Sequence, residues 1–125
     1  EDYIQSSENV LDYLRYNLQD RGREVFLVVL LNGRNQVLDI VELFEGTLTT
    51  SAVYPREVIK LILEKDAAAV IFVHNHPSGN PNPSKDDQNL TQKLKAACST
   101  IDVQLHDHLI IAGNDYTSMA DKGMV

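Results

Sequence analysis

Apolar residues recur along this chain in two rhythms, one helical and one extended. Ser6-Ser7-Glu8 is a helix-start signal. Val10, Leu11, Leu14 and Leu18 then follow at the three-and-four spacing that lines one helical face. Gly22 is the expected stop. Val25 to Leu31 is a continuous apolar run with several β-branched residues, which reads as a buried strand. Asn32-Gly33 is a turn signal and Val37 to Phe44 a second strand, so the two are expected to form an antiparallel hairpin. Gly46-Thr47 breaks the pattern, and Thr49 to Val53 is a candidate short strand. Pro55 suits a first helical position, with Val58, Ile59, Ile62 and Leu63 repeating behind it. Ala67 to Val73 is all apolar and is expected at the centre of its sheet. After a polar stretch, Asn75 to Pro83, a helix is expected with Leu90, Leu94, Ala97 and Ile101 on one face. Val103 to Ala112 reads as a strand, Gly113-Asn114-Asp115 as a turn and Tyr116 to Met119 as a last short strand. A hairpin followed by alternating helices and strands predicts an α/β (mixed α+β) fold, a mixed β-sheet flanked by helices rather than a fully parallel one.

Composition narrows this picture. The 125 residues are 43% hydrophobic, enough for one core without staples, and show no repeat or linker. Residues 1–125 are therefore read as one domain, with 1–22 a helical lead-in. A single cysteine, Cys98, rules out an intramolecular disulfide and a multi-cysteine zinc cage. No apolar run approaches the roughly 20 residues of a membrane span. The start, Glu1-Asp2-Tyr3, resembles no signal peptide and lacks a Met, so a domain cut from a longer cytoplasmic protein is expected. Eleven basic against eighteen acidic residues give a net charge of −7. The nearest approach to a basic patch is Arg15, Arg21 and Arg23, with Asp20 and Glu24 interleaved. Direct nucleic-acid binding is not expected, because phosphate neutralisation needs a basic face.

The chemistry concentrates in His74-Asn75-His76-Pro77 and the loop that leads to Ser84 and Asp87. Residues two apart on a strand point to the same side, so His74 and His76 offer two neighbouring imidazoles. Prolines 77, 81 and 83 stiffen the loop that follows. Ser84 suits a helix N-cap, and Asp87, in the first turn, can face back to the histidines. Two His and one carboxylate, with a fourth position left to water, is the pattern of a catalytic zinc site. Zinc in such a site brings its water to a pKa of about 7. A plainer reading is also open: Ser84-x-x-Asp87 is close to a capping box. Asp86 competes with Asp87 for the site, or serves the helix dipole. His106 and His108 form a second His-x-His around Asp107. They are candidates for a second metal site or for orienting the first, and His106 alone could face solvent. Cys98, late on a helix, reads as a packing residue.

The string His74-x-His76-Pro77, six residues, Ser84, two residues, Asp87 resembles the JAMM (MPN) metalloprotease motif without a gap. The fuller run from His74 to Ser84 is similar to the RadC branch of that family. So are Gly46-Thr47-Leu48, Pro55-Arg56-Glu57-Val58 and Asp107-His108-Leu109-Ile110, and the likeness runs from about Glu24 to Val125. The resemblance implies a three-layer fold like that of cytidine deaminase, and one zinc ion per chain on His74, His76 and Asp87. It implies that Ser84 supports the oxyanion. It also implies that a glutamate at the junction of the first helix and first strand is the general base. Glu24 fits that place, with Glu42 and Glu45 as alternatives. Deaminase chemistry itself is excluded, since its zinc site needs a Pro-Cys-x-x-Cys.

The leading expectation is a zinc-dependent hydrolase acting on a peptide or isopeptide bond of a protein substrate. The alternative is a zinc-containing interaction module without turnover, in the DNA repair or recombination setting that the RadC name suggests. The apolar edge Val37 to Phe44 offers a surface for a homo-oligomer, though nothing in the sequence requires one.

Overall fold

The computed structural model describes residues 7–125. Its elements are α1 (Ser7–Leu18), β1 (Val25–Leu31), β2 (Val37–Glu45), α2 (Pro55–Lys65), β3 (Ala69–Asn75), α3 (Lys85–Ser99), β4 (Gln104–Ala112) and β5 (Asp115–Ser118). The strands form one sheet in the order β2-β1-β3-β4-β5. Only β3 and β4 run parallel, and every other neighbouring pair is antiparallel. The sheet is mixed, with the apolar β3 at its centre, as the run of hydrophobic residues requires.

Alternation along the strands divides the core into two faces. Phe26, Val28 and Leu30 of β1 and Val70 and Phe72 of β3 pack against α2 (Val58, Leu61, Ile62) and α3 (Leu90, Leu94, Cys98). The intervening residues Val25, Leu27, Val29, Leu31, Ala69 and Val73 pack against Val10, Leu14 and Leu18 of α1. The result is a three-layer mixed α/β arrangement, consistent with the JAMM/MPN-like fold that the resemblance implies.

Local chemistry sets the ends of the elements. Pro55 occupies the start of α2, and Asp66 closes it in the left-handed region at φ 54°. Ser84 caps α3. The helix α1 ends at Leu18, four residues before Gly22, through bonds from Gln19 N–H to Arg15 O and from Arg21 N–H to Leu18 O. Ser6, part of the expected start signal, lies outside the described residues. The expected strand over Thr49 to Val53 is not there: the segment is a run of turns. Its backbone is tied to α3 instead, since Asp86 Oδ1 accepts from both Thr50 N–H (3.1 Å) and Thr50 Oγ1 (2.6 Å). Among the described residues no helix is long and apolar enough to cross a membrane.

Candidate metal centre

The site forms where β1 begins and β3 ends. These strands pair antiparallel with Phe26 opposite His74, and Glu24 immediately precedes β1. Two-residue alternation therefore puts Glu24 on the same face as Phe26, His74 and His76. Glu24 Oε1 accepts from His74 Nε2 at 2.8 Å. His76 lies one residue beyond β3, and its N–H donates to Ile111 O at 2.8 Å, which extends the β3–β4 pairing. The two imidazoles meet nearly edge to face, 4.7 Å between centroids. His76 Nδ1 donates to Asn80 O at 2.7 Å. That bond fixes the ring and turns Nε2 into the site, the arrangement that metal-ligating histidines use.

The first turn of α3 supplies the fourth side chain. Ser84 Oγ accepts from Asp87 N–H at 2.9 Å, and Asp87 Oδ2 accepts from Ser84 N–H at 2.8 Å, a complete capping box. The same Oδ2 accepts from His76 Nε2 at 3.1 Å. The capping reading and the site reading of Asp87 thus hold together in one carboxylate. Asp86 is not a competitor, because its side chain holds Thr50.

Burial and pairing set the charges. His74 is fully buried, which lowers its pKa, although Glu24 and Asp87 pull the other way. His76 is shifted up by its bond to Asp87, against the effect of burial. Burial alone would raise the Asp87 pKa, but the bonds from His76 and the Ser84 amide win and hold it at about 2. Asp87 is therefore a carboxylate inside the protein, only 1% exposed. Two buried polar atoms at its contact with His74, Asp87 Oδ1 and His74 Nδ1, have no hydrogen-bond partner among the described residues. Such atoms cost free energy unless something completes them. The donor set of imidazole nitrogens and carboxylate oxygens fits a borderline divalent cation such as zinc.

Glu24, His74 and His76 each offer one ligand atom within 4.8 Å of the others, and Asp87 meets His76 Nε2 at 3.1 Å and His74 Nδ1 at 3.4 Å. The sequence-based set was His74, His76 and Asp87, with Glu24 beside them as base. The structure brings all four side chains together, with Asp87 touching both histidines and Glu24 touching His74. The Ser84 amide anchors Asp87, and Glu24 reaches across from the start of β1 to His74. Ser84 joins this group through Asp87. It is exposed at the N-cap with its oxygen engaged by Asp87 N–H.

The remaining candidates have other occupations. Glu42 and Glu45 form ion pairs with Arg21, at 3.2 and 3.4 Å. A register shift in the β3–β4 pairing leaves His106 opposite no residue of β3, and its Nε2 bonds Asn35 Oδ1. His108, fully buried, shares a hydrogen bond of 2.6 Å between its Nδ1 and Thr91 Oγ1, and Thr91 donates to Asp87 O. The two histidines therefore do not converge on a second site. Asp107 accepts from Ser118 Oγ, Ala120 N–H and His108 N–H, which pins the C-terminal turn. Cys98 is buried in the core, and burial pushes its thiol up to about 11. The residue that sequence reading passed over is Asn75, buried between the two histidines. Its side chain bonds Val25 N–H (2.6 Å) and Arg23 O (3.0 Å). A polar residue where alternation calls for an apolar one was the available signal.

The site opens on a cleft of about 570 Å³, lined by Gly22, Arg23, Glu24, Gly46, Thr47, His76, Pro77 and Ser78. Comparison with known proteins gives the family. The sequence model of the RadC-like JAB domain matches residues 4–124. A UPF0758 protein of Shewanella baltica (strain OS185) is 51% identical over 114 residues, covering 91% of this chain and 51% of that protein. A UPF0758 protein of Shewanella amazonensis is 48% identical over 122 residues, covering 98% of this chain and 54% of that protein. The chain thus spans about half the length of the curated relatives it matches.

Proposed function

The chain belongs to the family of RadC-like JAB domains, and on that premise we propose that it is a zinc-dependent hydrolase of JAMM type acting on a peptide or isopeptide bond. The observation that carries this reading is Glu24 Oε1, 2.8 Å from His74 Nε2 and beside His76 at the mouth of the cleft. A carboxylate held against two imidazoles in a cleft can move a proton where substrate arrives. His74, His76 and Asp87 would hold the ion. Zinc, when bound, supplies a Lewis acid for a carbonyl and acidifies water.

The chain's own residues do the rest. Glu24 takes a proton from the attacking water on a carboxylate oxygen and delivers it to the departing amine nitrogen. His76, braced by Asn80 O, keeps its Nε2 turned into the site. Ser84 Oγ accepts from Asp87 N–H, which leaves its own proton free to donate to the substrate carbonyl oxygen as charge develops there. The cleft walls at Gly22 and Gly46 carry no side chains, leaving room for an extended backbone beside Glu24.

The competing reading is a zinc-holding scaffold without turnover. One observation favours it: the capping box accounts for Ser84 and Asp87 without any reaction. Hydrolysis of fluorogenic peptides and of lysine ε-amide isopeptides by the zinc-loaded chain separates the two. Turnover that Glu24→Gln abolishes, with zinc retained, supports the hydrolase. Zinc binding with no turnover on either substrate class, and no difference between wild type and Glu24→Gln, supports the scaffold.

A further inference from the structure

Between the two candidate ligands His74 and His76, Asn75 points to the opposite face of β3 and is 3% exposed. Backbone pairing of β1 with β3 reaches Phe26–His74 and goes no further. Beyond it the Asn75 carboxamide takes over. Its Oδ1 accepts from Val25 N–H at 2.6 Å, and its Nδ2 donates to Arg23 O at 3.0 Å. On an extended strand these two groups flank residue 24 and point the same way, and a carboxamide presents one acceptor and one donor side by side. The Glu24 carbonyl points the other way and accepts from Gly46 N–H at 2.9 Å. The backbone of Glu24 is thus gripped from both sides, and its side chain is left facing His74.

We propose that Asn75 is a positioning residue for Glu24, setting the carboxylate against the histidine pair through the two peptide units on either side of it. The inference rests on the reading of Glu24 as the proton-transferring group. The chemistry selects asparagine. Aspartate keeps the acceptor for Val25 N–H but sets a second oxygen against Arg23 O. Alanine supplies neither bond, and serine has one oxygen where the carboxamide has a separate donor and acceptor side by side. Because the Asn75 carboxamide bonds the peptide groups on either side of Glu24 and not the ligand side chains, its loss should move Glu24 and leave metal binding alone.

The test uses the 125-residue chain with Asn75→Ala, Asn75→Asp and Asn75→Ser beside Glu24→Gln. In the metal-free proteins, NMR of the His74 imidazole reads the Nε2–H···Glu24 hydrogen bond directly. The expected result is that the Asn75 variants lose or shift that resonance as Glu24→Gln does. They should still bind zinc with wild-type stoichiometry, and hydrolyse the fluorogenic peptide or isopeptide about a hundredfold more slowly, as a misplaced catalytic group does. An unchanged His74 resonance in variants that unfold cooperatively overturns the proposal. So does loss of cooperative unfolding in all three, which would make Asn75 a brace of the fold. If wild type itself neither binds zinc nor cleaves while the resonance responds as expected, the hydrolase reading fails and the positioning of Glu24 by Asn75 stands.

Discussion

Asp87 Oδ1 stands 3.4 Å from His74 Nδ1, and among the described residues neither atom has a hydrogen-bond partner. Both side chains are almost completely buried. An unpaired buried polar group costs about 1–3 kcal/mol, more where charge is involved. Two such atoms in contact, at a site rich in metal-ligating side chains, are best completed by a cation.

Zinc should therefore stabilise the chain. At free zinc about a hundredfold above Kd, linkage predicts a gain of about 2.7 kcal/mol, on the order of 10 °C in Tm for a domain of this size. Thermal unfolding with zinc and with a chelator measures the difference. Asp87→Asn should shrink it, whereas Asp86→Ala, which releases only Thr50, should leave it intact. An equal zinc shift in Asp87→Asn would remove Asp87 from the ligands.

Acid should release the metal. A ligating imidazole must be deprotonated, and the bond to Asp87 raises the pKa of His76. Protons therefore compete for His76 from a higher pH than for an ordinary histidine, and zinc affinity should fall as pH drops through that raised pKa. Zinc competition titrations between about pH 8 and 5 check this. A flat affinity across that range contradicts the assignment of His76.

The metal-free fold should carry its own acid limb, from His108. Burial, with help from the neighbouring His74, lowers its pKa to about 3 from 6.5. A depressed folded pKa means that the unfolded chain binds the proton first. The stability contribution is present above about pH 6.5 and is lost as pH falls towards 3, by up to a few kcal/mol. His108→Phe suits the edge contacts with Phe26 and Phe72 and should flatten this limb in denaturant titrations at a series of pH values. The slope surviving unchanged would place the acid sensitivity elsewhere.

Cys98 should behave as a core residue. Buried in the sheet–α3 interface, with its thiol raised to about 11, it should ignore a thiol reagent under native conditions and react fully on unfolding. Fast native labelling would contradict the packing.

Much of this architecture is legible in the sequence because strand and helix periods differ. Val25–Leu31 and the apolar centre of β3 read as buried strands from their own residues, and Pro55 and Ser84 marked the helix starts. Thr49–Val53 misled because Thr50 is held by Asp86 in a turn, a long-range bond that local propensity does not encode. The pairing of Glu24 with His74 follows from strand register, which a single sequence leaves open. The same holds for Asn75, whose partners lie about fifty residues away. The different settings of His106 and His108 follow from a register shift, which a single sequence does not reveal.

Zinc content per chain, measured on wild type, Asp87→Ala and Glu24→Gln, tests the central claim most directly. The account predicts about one zinc per chain in wild type and Glu24→Gln, and little or none in Asp87→Ala. No zinc in reconstituted wild type, or zinc kept in Asp87→Ala and lost in Glu24→Gln, would contradict it.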